Sequence, residues 1–223
     1  MQAGNAHYRR ATDLPEIIPV FPLSEALLLP GGHMPLNIFE PRYVRMVDKA
    51  LAGSRLIGMI QPRLDDRRLP NGEPAVCEVG CAGRIVSFAE TGDGRYLISL
   101  GGICRFRVIE ELKVRTPYRQ CRVAHFEADL HEDSGPVEVD RPALLRAFRA
   151  YLDANDLEAD WESVSRAENA TLVNALSMMA PFGAAEKQAL LEAADLKTRA
   201  DTLIAITEMV LTRGDDDFAF KLQ

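Results

Sequence analysis

The sequence predicts an α+β protein with a β-rich amino-terminal half and a helical carboxyl-terminal half. Short apolar runs fill residues 55–126, as expected for strands. Beyond residue 140 the apolar residues recur about every 3.6 positions, which is the period of a helix. The stretch between these patterns, 127–140, holds six acidic residues and no basic residue, so we expect a solvated linker there.

The domain boundaries follow from these changes of pattern. We expect a β-rich subdomain at 1–126, an acidic linker at 127–140, a helical bundle at 141–214 and a tail at 215–223. Asp140 can cap the first helix of the bundle, and Gly214 is expected to end the last one, which begins at Leu196.

Residues 18–43 predict a strand, a turn, a second strand and a helix. Prolines recur here at short intervals, and each removes a backbone donor, so the strands should be short and lie at edges or bends. Pro30-Gly31-Gly32 marks the turn. Pro41 suits the first helical position, and apolar residues follow it at helical spacing.

The remaining strands are predicted from the density of apolar runs, which implies a barrel or packed sheets. The predicted strands are Leu56–Ile60, Ala75–Val79, Arg84–Phe88, Tyr96–Leu100, Cys104–Ile109 and Gln120–Phe126. The sequence Thr91-Gly92-Asp93-Gly94 predicts a hairpin turn between two of them.

Composition and cysteine use favour a cytoplasmic protein without a metal site. The chain of 223 residues is 47% apolar, enough for an ordinary core, and neither a signal peptide nor a membrane span is expected. Cys77 and Cys81 would stand roughly 13 Å apart on one strand. Two thiolates that share a zinc ion must each lie about 2.3 Å from it. Buried, reduced cysteines are therefore the favoured interpretation.

Several short motifs, taken in order, resemble the amino-terminal substrate-binding domain of Lon proteases. They are Val20–Leu23, Pro30-Gly31, Pro35-Leu36, Ile38–Tyr43, Met46-Val47, Glu78–Cys81, Gly83–Ile85, Gly102–Phe106, Lys187–Glu192, Asp195-Leu196 and Arg199. Each motif is weak alone, but their order and spacing extend over nearly the whole chain. The resemblance implies a β-rich, PUA-like pseudo-barrel with one inserted helix, followed by a helical bundle.

The same resemblance implies recognition without catalysis. A full-length Lon protease carries an ATPase module and a protease module, whereas this chain has no Gly-Lys-Ser/Thr phosphate loop and no hydrolase motif. We therefore expect a non-enzymatic, stand-alone domain without a cofactor. Its expected partners are unfolded or flexible polypeptides, or a protease or chaperone; its oligomeric state stays open.

Apolar residues near the proline-rich turn are the candidates for contact with polypeptide, together with backbone pairing at the strand edge. The candidates are Met34, Leu36, Phe39 and Tyr43. Glu40, Pro41 and Arg42 form a corner at the start of the helix, and an ion pair or cap is favoured there over a catalytic carboxylate.

The charge distribution suggests an alternative, a small-molecule or RNA-binding module that uses the barrel surface. Residues 1–126 carry 17 Lys and Arg against 13 Asp and Glu, although the whole chain has a net charge of −7. Strand alternation predicts that Arg105 and Arg107 face outward, where Arg119 and Arg122 could join them around a phosphate. Nucleic acid is disfavoured because the interleaved aromatic residues point inward.

Overall fold

All described strands belong to one of the two units into which the chain divides. The computed structural model describes residues 1–65, 67–70, 72–131, 138–155 and 157–220, with only the backbone for 213–220. One compact unit, the strand unit, comprises Met1–Ser134 and Phe182–Leu191. The other, the helix unit, comprises Gly135–Pro181 and Glu192–Gln223. The described residues thus have mixed α/β content, with a six-stranded sheet and six α-helices.

The strand unit is built on the six-stranded sheet. Its strands and the small hairpin before it are β1 (Gln2–Ala3), β2 (Ala6–His7), β3 (Ile17–Pro22), β4 (His33–Ile38), β5 (Leu56–Ile60), β6 (Val79–Glu90), β7 (Tyr96–Glu111) and β8 (Arg119–His125). The sheet order is β4-β7-β6-β5-β3-β8. β7 also pairs with β8, so five of the strands close into a ring. β3 and β5 are parallel, and the other neighbours are antiparallel.

β7 is 16 residues long, which lets its two halves pair with different strands. Its second half pairs with β8 inside the ring, whereas its first half pairs with β4. The second half of β6 pairs with the first half of β7 and extends beyond the ring with it. β4 and these two strand halves form a three-stranded extension of the ring.

The ring is filled by side chains. Phe106 is fully buried and belongs to the same core cluster as Ile18 and Ile103. A Cβ atom on Gly80 would lie 2.5 Å from both Phe106 Cζ and the Met59 carbonyl oxygen. Glycine is therefore required at Gly80, because only its missing side chain leaves room for the Phe106 ring.

The helix α1 (Pro41–Leu51) follows the extension strand β4. It begins at Pro41, as the sequence predicts, with Glu40 at the N-cap. Tyr43 and Met46 are among its buried residues, and the Tyr43 ring centroid lies 4.2 Å from that of Phe21 in β3. The buried stripe of α1 therefore packs on the sheet.

The helix unit contains α2 (Arg141–Ala154), α3 (Trp161–Arg166), α4 (Asn169–Met179) and α6 (Leu196–Phe220), whereas most of α5 (Ala184–Glu192) lies in the strand unit. Asp140 caps α2 by accepting from the Ala143 N–H at 2.9 Å, as predicted. The Arg141 guanidinium donates to the carbonyls of Val164 and Ala167 at 2.7 and 2.8 Å. These bonds tie the start of α2 to the end of α3.

Three sequence predictions about the elements need correction. Tyr96–Leu100 and Cys104–Ile109 are parts of one strand, because Gly101 and Gly102 continue the ladder. Residues 75–78 are not a strand; Val76 makes an isolated bridge to Pro62, and β6 begins at Val79. α6 does not end at Gly214 but continues to Phe220.

Of the predicted acidic linker, residues 132–137 lie outside the described residues. Its first residues, Glu127–Leu130, form a 3₁₀ turn in the strand unit. Among the described helices, none combines the length and hydrophobicity needed to cross a membrane.

Candidate functional site

The extension has two faces that differ in what covers them. Leu36 pairs with Ile98 across β4 and β7, and the next residues, Asn37 and Leu97, pair likewise. Because successive side chains of a strand point to opposite sides, these two pairs lie on opposite faces. We call the side of Ile98 the helix face and the side of Leu97 the groove face.

α1 covers part of the helix face. Tyr96 shares the parity of Ile98, and its O–H donates to Asp48 Oδ1 in α1 at 2.8 Å. This hydrogen bond raises the pKa of Tyr96 above its ordinary value. Ile98 on the helix face is buried, whereas Leu97 on the groove face is 49% exposed.

A shallow pocket of about 530 Å³ lies on the extension. The lining residues that belong to the groove face are Pro35, Asn37, Ser87, Ala89, Leu97 and Ser99. Leu36, Phe88 and Ile98 complete the described lining, in which no residue is charged. The pocket offers apolar contact with a few hydroxyl and amide groups, and no charged side chain to bind an ion.

The four predicted polypeptide contacts are in different environments. Leu36 is half-buried and lines the pocket, and Met34 is half-buried in the same strand. Phe39 directly follows β4 and is 61% exposed. Tyr43 is only 7% exposed and packs on Phe21, so it belongs to the core and does not offer its ring to a partner.

The predicted corner contains an ion pair. Arg42 Nε donates to Glu40 Oε2 at 2.9 Å, and Arg42 Nη1 donates to Glu73 Oε1 at 3.4 Å. The Arg42 guanidinium also lies 4.6 Å from the centroid of the Tyr43 ring. Arg42 thus joins the start of α1 to the loop before β6, in a position half-exposed to solvent.

The expectation that Arg105 faces outward is wrong. Its side chain is buried and forms an ion pair with Asp129, and its Nη1 donates to the Leu191 carbonyl at 3.3 Å. Arg105 lies on the opposite side of β7 from Phe106, as alternation predicts, but Asp129 of the 3₁₀ turn and the Leu191 carbonyl cover it there.

The other three predicted phosphate contacts are also paired with carboxylates. Arg107 bonds Glu78 at 3.3 Å, Arg119 bonds Glu111 at 2.7 Å, and Arg122 bonds Glu110 at 3.0 Å. A phosphate would have to displace these carboxylates. The phosphate-binding role stays a prediction that no observed contact favours.

A buried polar network joins α5 to the sheet within the strand unit. Gln61 Nε2 donates to the Ala184 carbonyl at 2.9 Å and to Gln188 Oε1 at 3.1 Å, and Gln188 Nε2 donates to the Val79 carbonyl at 3.2 Å. Lys187 is buried beside this network, and burial lowers its pKa, although the charge of Glu25 partly offsets this effect.

The four cysteines are unbridged, and three of them are buried. Burial raises the pKa of Cys104 and of Cys121 to about 12. Across the described residues, His, Cys, Asp and Glu do not gather in any group of three that could hold a metal ion.

The sequence pattern did not reveal the groove residues that β6 and β7 contribute. It placed Phe88 and Leu97 in strands of a barrel, where one face would be interior. The available signal was Leu97 beside Ile98, two apolar neighbours that cannot share one face of a strand. One of them had to be exposed or covered by another element.

The comparisons with known proteins agree on one family. The model of the ATP-dependent protease La (LON) substrate-binding domain matches residues 17–208. The chain is 27% identical to Lon protease 2 of Myxococcus xanthus over 202 residues, which cover 87% of this chain and 24% of that protein. It is 29% identical to Lon protease 2 of Sorangium cellulosum over 196 residues, which cover 85% of this chain and 24% of that protein. The chain thus spans 24% of the length of these relatives.

Two solved structures share the fold. One is the crystal structure of a Lon N-terminal domain protein from Xanthomonas campestris, with a TM-score of 0.60 and 23% identity; the match covers 85% of this chain and 97% of that one. The other is the N-terminal domain of the Mycobacterium avium complex Lon protease, with a TM-score of 0.58 and 18% identity; the match covers 86% of this chain and 98% of that one.

Proposed function

This chain belongs to the family of ATP-dependent protease La (LON) substrate-binding domains, and we propose that it binds unfolded or flexible polypeptide on the three-stranded extension. Membership of the family supports a role in substrate recognition. The matches concern the substrate-binding domain and neither the ATPase nor the protease module, which is consistent with binding without catalysis.

The observation that carries the proposal is the exposure of large apolar side chains around an uncharged groove. Leu97 lies in the groove, and Phe39 follows the strand that forms its edge. Burying such side chains against a partner is favourable by about 25 cal/mol per Å². Unfolded chains expose apolar segments that native proteins bury, so this surface distinguishes the two states of a client.

A titration with an unfolded model protein tests the proposal. Fluorescently labelled, reduced and carboxymethylated lactalbumin is mixed with increasing amounts of the chain, and its anisotropy is followed. We expect saturable binding, weakened roughly fivefold to tenfold by Leu97→Ser or Phe39→Ser, since each loses about 1 to 1.4 kcal/mol of apolar contact.

Ile109→Ser is the matched control. Ile109 is 59% exposed, nearly the same as Phe39, but it lies in the second half of β7, outside the extension. We expect this variant to bind like the unaltered chain. Equal losses in all three variants, or no saturable binding by a chain whose circular dichroism is intact, would reject the proposal.

We also infer that the ring of strands is the PUA-like pseudo-barrel that the family resemblance implies, and that α2, α4 and α6 form the helical bundle. Closure of the ring through the β7–β8 pairing supports the former. Buried leucines on all three helices, Leu144, Leu172 and Leu203, support the latter. Because Phe106 fills the ring, the small-molecule alternative has no supporting observation there.

A further inference from the structure

The hydrogen-bond pattern of β4 shows which backbone groups face its outer edge. In the described sheet β4 has β7 on one side and no strand on the other. One step before β4, the Gly102 N–H donates to the Gly32 carbonyl at 2.8 Å and the Gly102 carbonyl accepts from the Gly31 N–H at 3.0 Å, so Gly32 and Gly102 stand at a hydrogen-bonded position of the ladder. Antiparallel pairs alternate between hydrogen-bonded and non-bonded types. The pairs of His33, Pro35 and Asn37 with β7 are therefore of the non-bonded type.

These three residues consequently direct their backbone groups away from β7, and all three are exposed. The outer edge presents the carbonyls of His33, Pro35 and Asn37. It presents the N–H groups of His33 and Asn37 only, because proline has none. Pro35 thus occupies the kind of position that sheets allow to proline, with its nitrogen toward solvent.

We propose that a flexible polypeptide adds to β4 as an extended antiparallel strand in a register set by Pro35. This inference rests on the proposed function. The incoming residue opposite Pro35 donates its N–H to the Pro35 carbonyl, and its own carbonyl meets no donor. Incoming residues two positions to either side exchange two bonds each, with His33 and with Asn37.

The same register selects side chains. Incoming residues that bond to β4 share the parity of Pro35 and Asn37, so their side chains lie on the groove face. The groove lining contains no charged residue, so it favours uncharged, apolar side chains at these alternate positions. The residues between them lie on the helix face.

Pro35 also disfavours a second copy of this chain as the occupant. In a symmetric antiparallel β4–β4 pairing each copy contributes a Pro35 without an N–H, so two hydrogen bonds would be lost. A foreign strand without proline at this position loses only one. Proline at an exposed edge is a common means of suppressing self-association.

Two methylated peptides test the strand addition. The probe is a fluorescein-labelled peptide of about ten alternating Val and Thr residues, which is long enough to span β4. Val is expected to occupy the groove face, so the amides of Val point to β4. N-methylation of the central Val residues should abolish binding, whereas N-methylation of the central Thr residues should leave the Kd within about twofold.

Backbone variants of the protein provide an independent measurement. Asn37→Pro removes one backbone N–H from the outer edge without breaking the ladder to β7. We expect it to weaken binding of the probe peptide roughly threefold to tenfold. Pro35→Val adds a donor, so we expect it to tighten binding by a similar factor. Circular dichroism and thermal melting verify that both variants fold.

The outcomes separate this inference from the proposed function. If lactalbumin binds but the two methylated peptides behave alike, strand addition is rejected and groove binding stands. If neither lactalbumin nor the peptide binds, the proposed function itself fails. If size-exclusion chromatography shows that the unaltered chain is a dimer and that Asn37→Pro makes it a monomer, the occupant is a second copy and the proposal is overturned.

Discussion

Asp129 binds both the backbone and the side chain of Arg105. The Arg105 backbone N–H and Nε each lie 2.8 Å from Asp129 Oδ2, and Arg105 Nη2 lies 2.7 Å from Oδ1. The side chains are only 6% and 9% exposed. This carboxylate therefore fixes the 3₁₀ turn Glu127–Leu130 on β7.

Removal of one partner of this pair is expected to be strongly destabilising. Asp129→Ala leaves the Arg105 charge buried without its carboxylate, which costs about 3 to 5 kcal/mol in comparable pairs. Urea unfolding followed by circular dichroism measures the loss. Glu78→Ala is the control, since its pair with Arg107 is more than half exposed and is expected to contribute less than about 1 kcal/mol. Similar losses in both variants would show that burial of the Arg105 pair has no special effect.

The stability of the strand unit should depend on pH through His125. Its Nε2 lies 3.0 Å from the Pro15 carbonyl and must carry the proton there, because a carbonyl only accepts. Nδ1 then accepts weakly from the Cys104 thiol at 3.6 Å. Burial lowers the pKa of His125 below its ordinary value of 6.5, although the bond to Pro15 partly offsets this effect.

The sign of the pH effect follows from proton binding. The imidazole of His125 takes up a proton near pH 6.5 in the unfolded state and only at lower pH in the native state. The free energy of unfolding therefore keeps its full contribution from neutral His125 above pH 6.5 and loses it as the pH falls below 6.5. We expect His125→Gln to show a smaller loss of unfolding free energy between about pH 7.5 and 5.5 than the unaltered chain. His33→Gln changes an exposed histidine and should retain the full slope. An unchanged slope in His125→Gln would contradict the assignment.

Thiol reactivity should separate one cysteine from the other three. Cys77 is half-buried, whereas Cys81, Cys104 and Cys121 are buried, and burial raises the pKa of Cys104 and of Cys121 to about 12. At pH 8 a thiol with that pKa is thiolate in only about one molecule in ten thousand. We expect Ellman's reagent to modify one thiol quickly in the native chain and all four in denaturant. Cys77→Ser should abolish the fast reaction; rapid labelling of a second thiol would show that the core opens.

Local signals in the sequence are enough to predict many of the elements. Pro41 and Asp140 begin helices at their predicted places because both act through their own backbone or side chain. Leu56–Ile60 is a strand as predicted, since it is a short apolar run in which every residue is buried. The family resemblance, carried by motif order, is confirmed over residues 17–208.

Predictions that depend on distant packing were less successful. The burial of Arg105 requires Asp129 and Leu191, and neither position can be inferred from the alternation of β7. The groove also depends on the division of β7 between two partners, which its sequence does not mark. Tyr43 is an aromatic residue of the kind that binding surfaces use, but it lies on the buried side of α1 and packs against Phe21.

The attachment of α5 to the sheet supplies a last prediction. The Gln61 carboxamide uses both ends, since Nε2 donates to Ala184 and Gln188 while Oε1 accepts from the Glu25 N–H at 3.0 Å. Gln61→Leu keeps the volume but leaves these buried groups without their partner, at about 1 to 3 kcal/mol each before relaxation. Hydrogen exchange should show faster exchange of the α5 amides, whereas the α4 amides, which lie in the helix unit, should be unchanged. Gln120→Leu is the control, because the Gln120 side chain donates to Thr116 in an exposed position. Uniform acceleration in both helices would mean that Gln61 supports global stability and does not specifically hold α5.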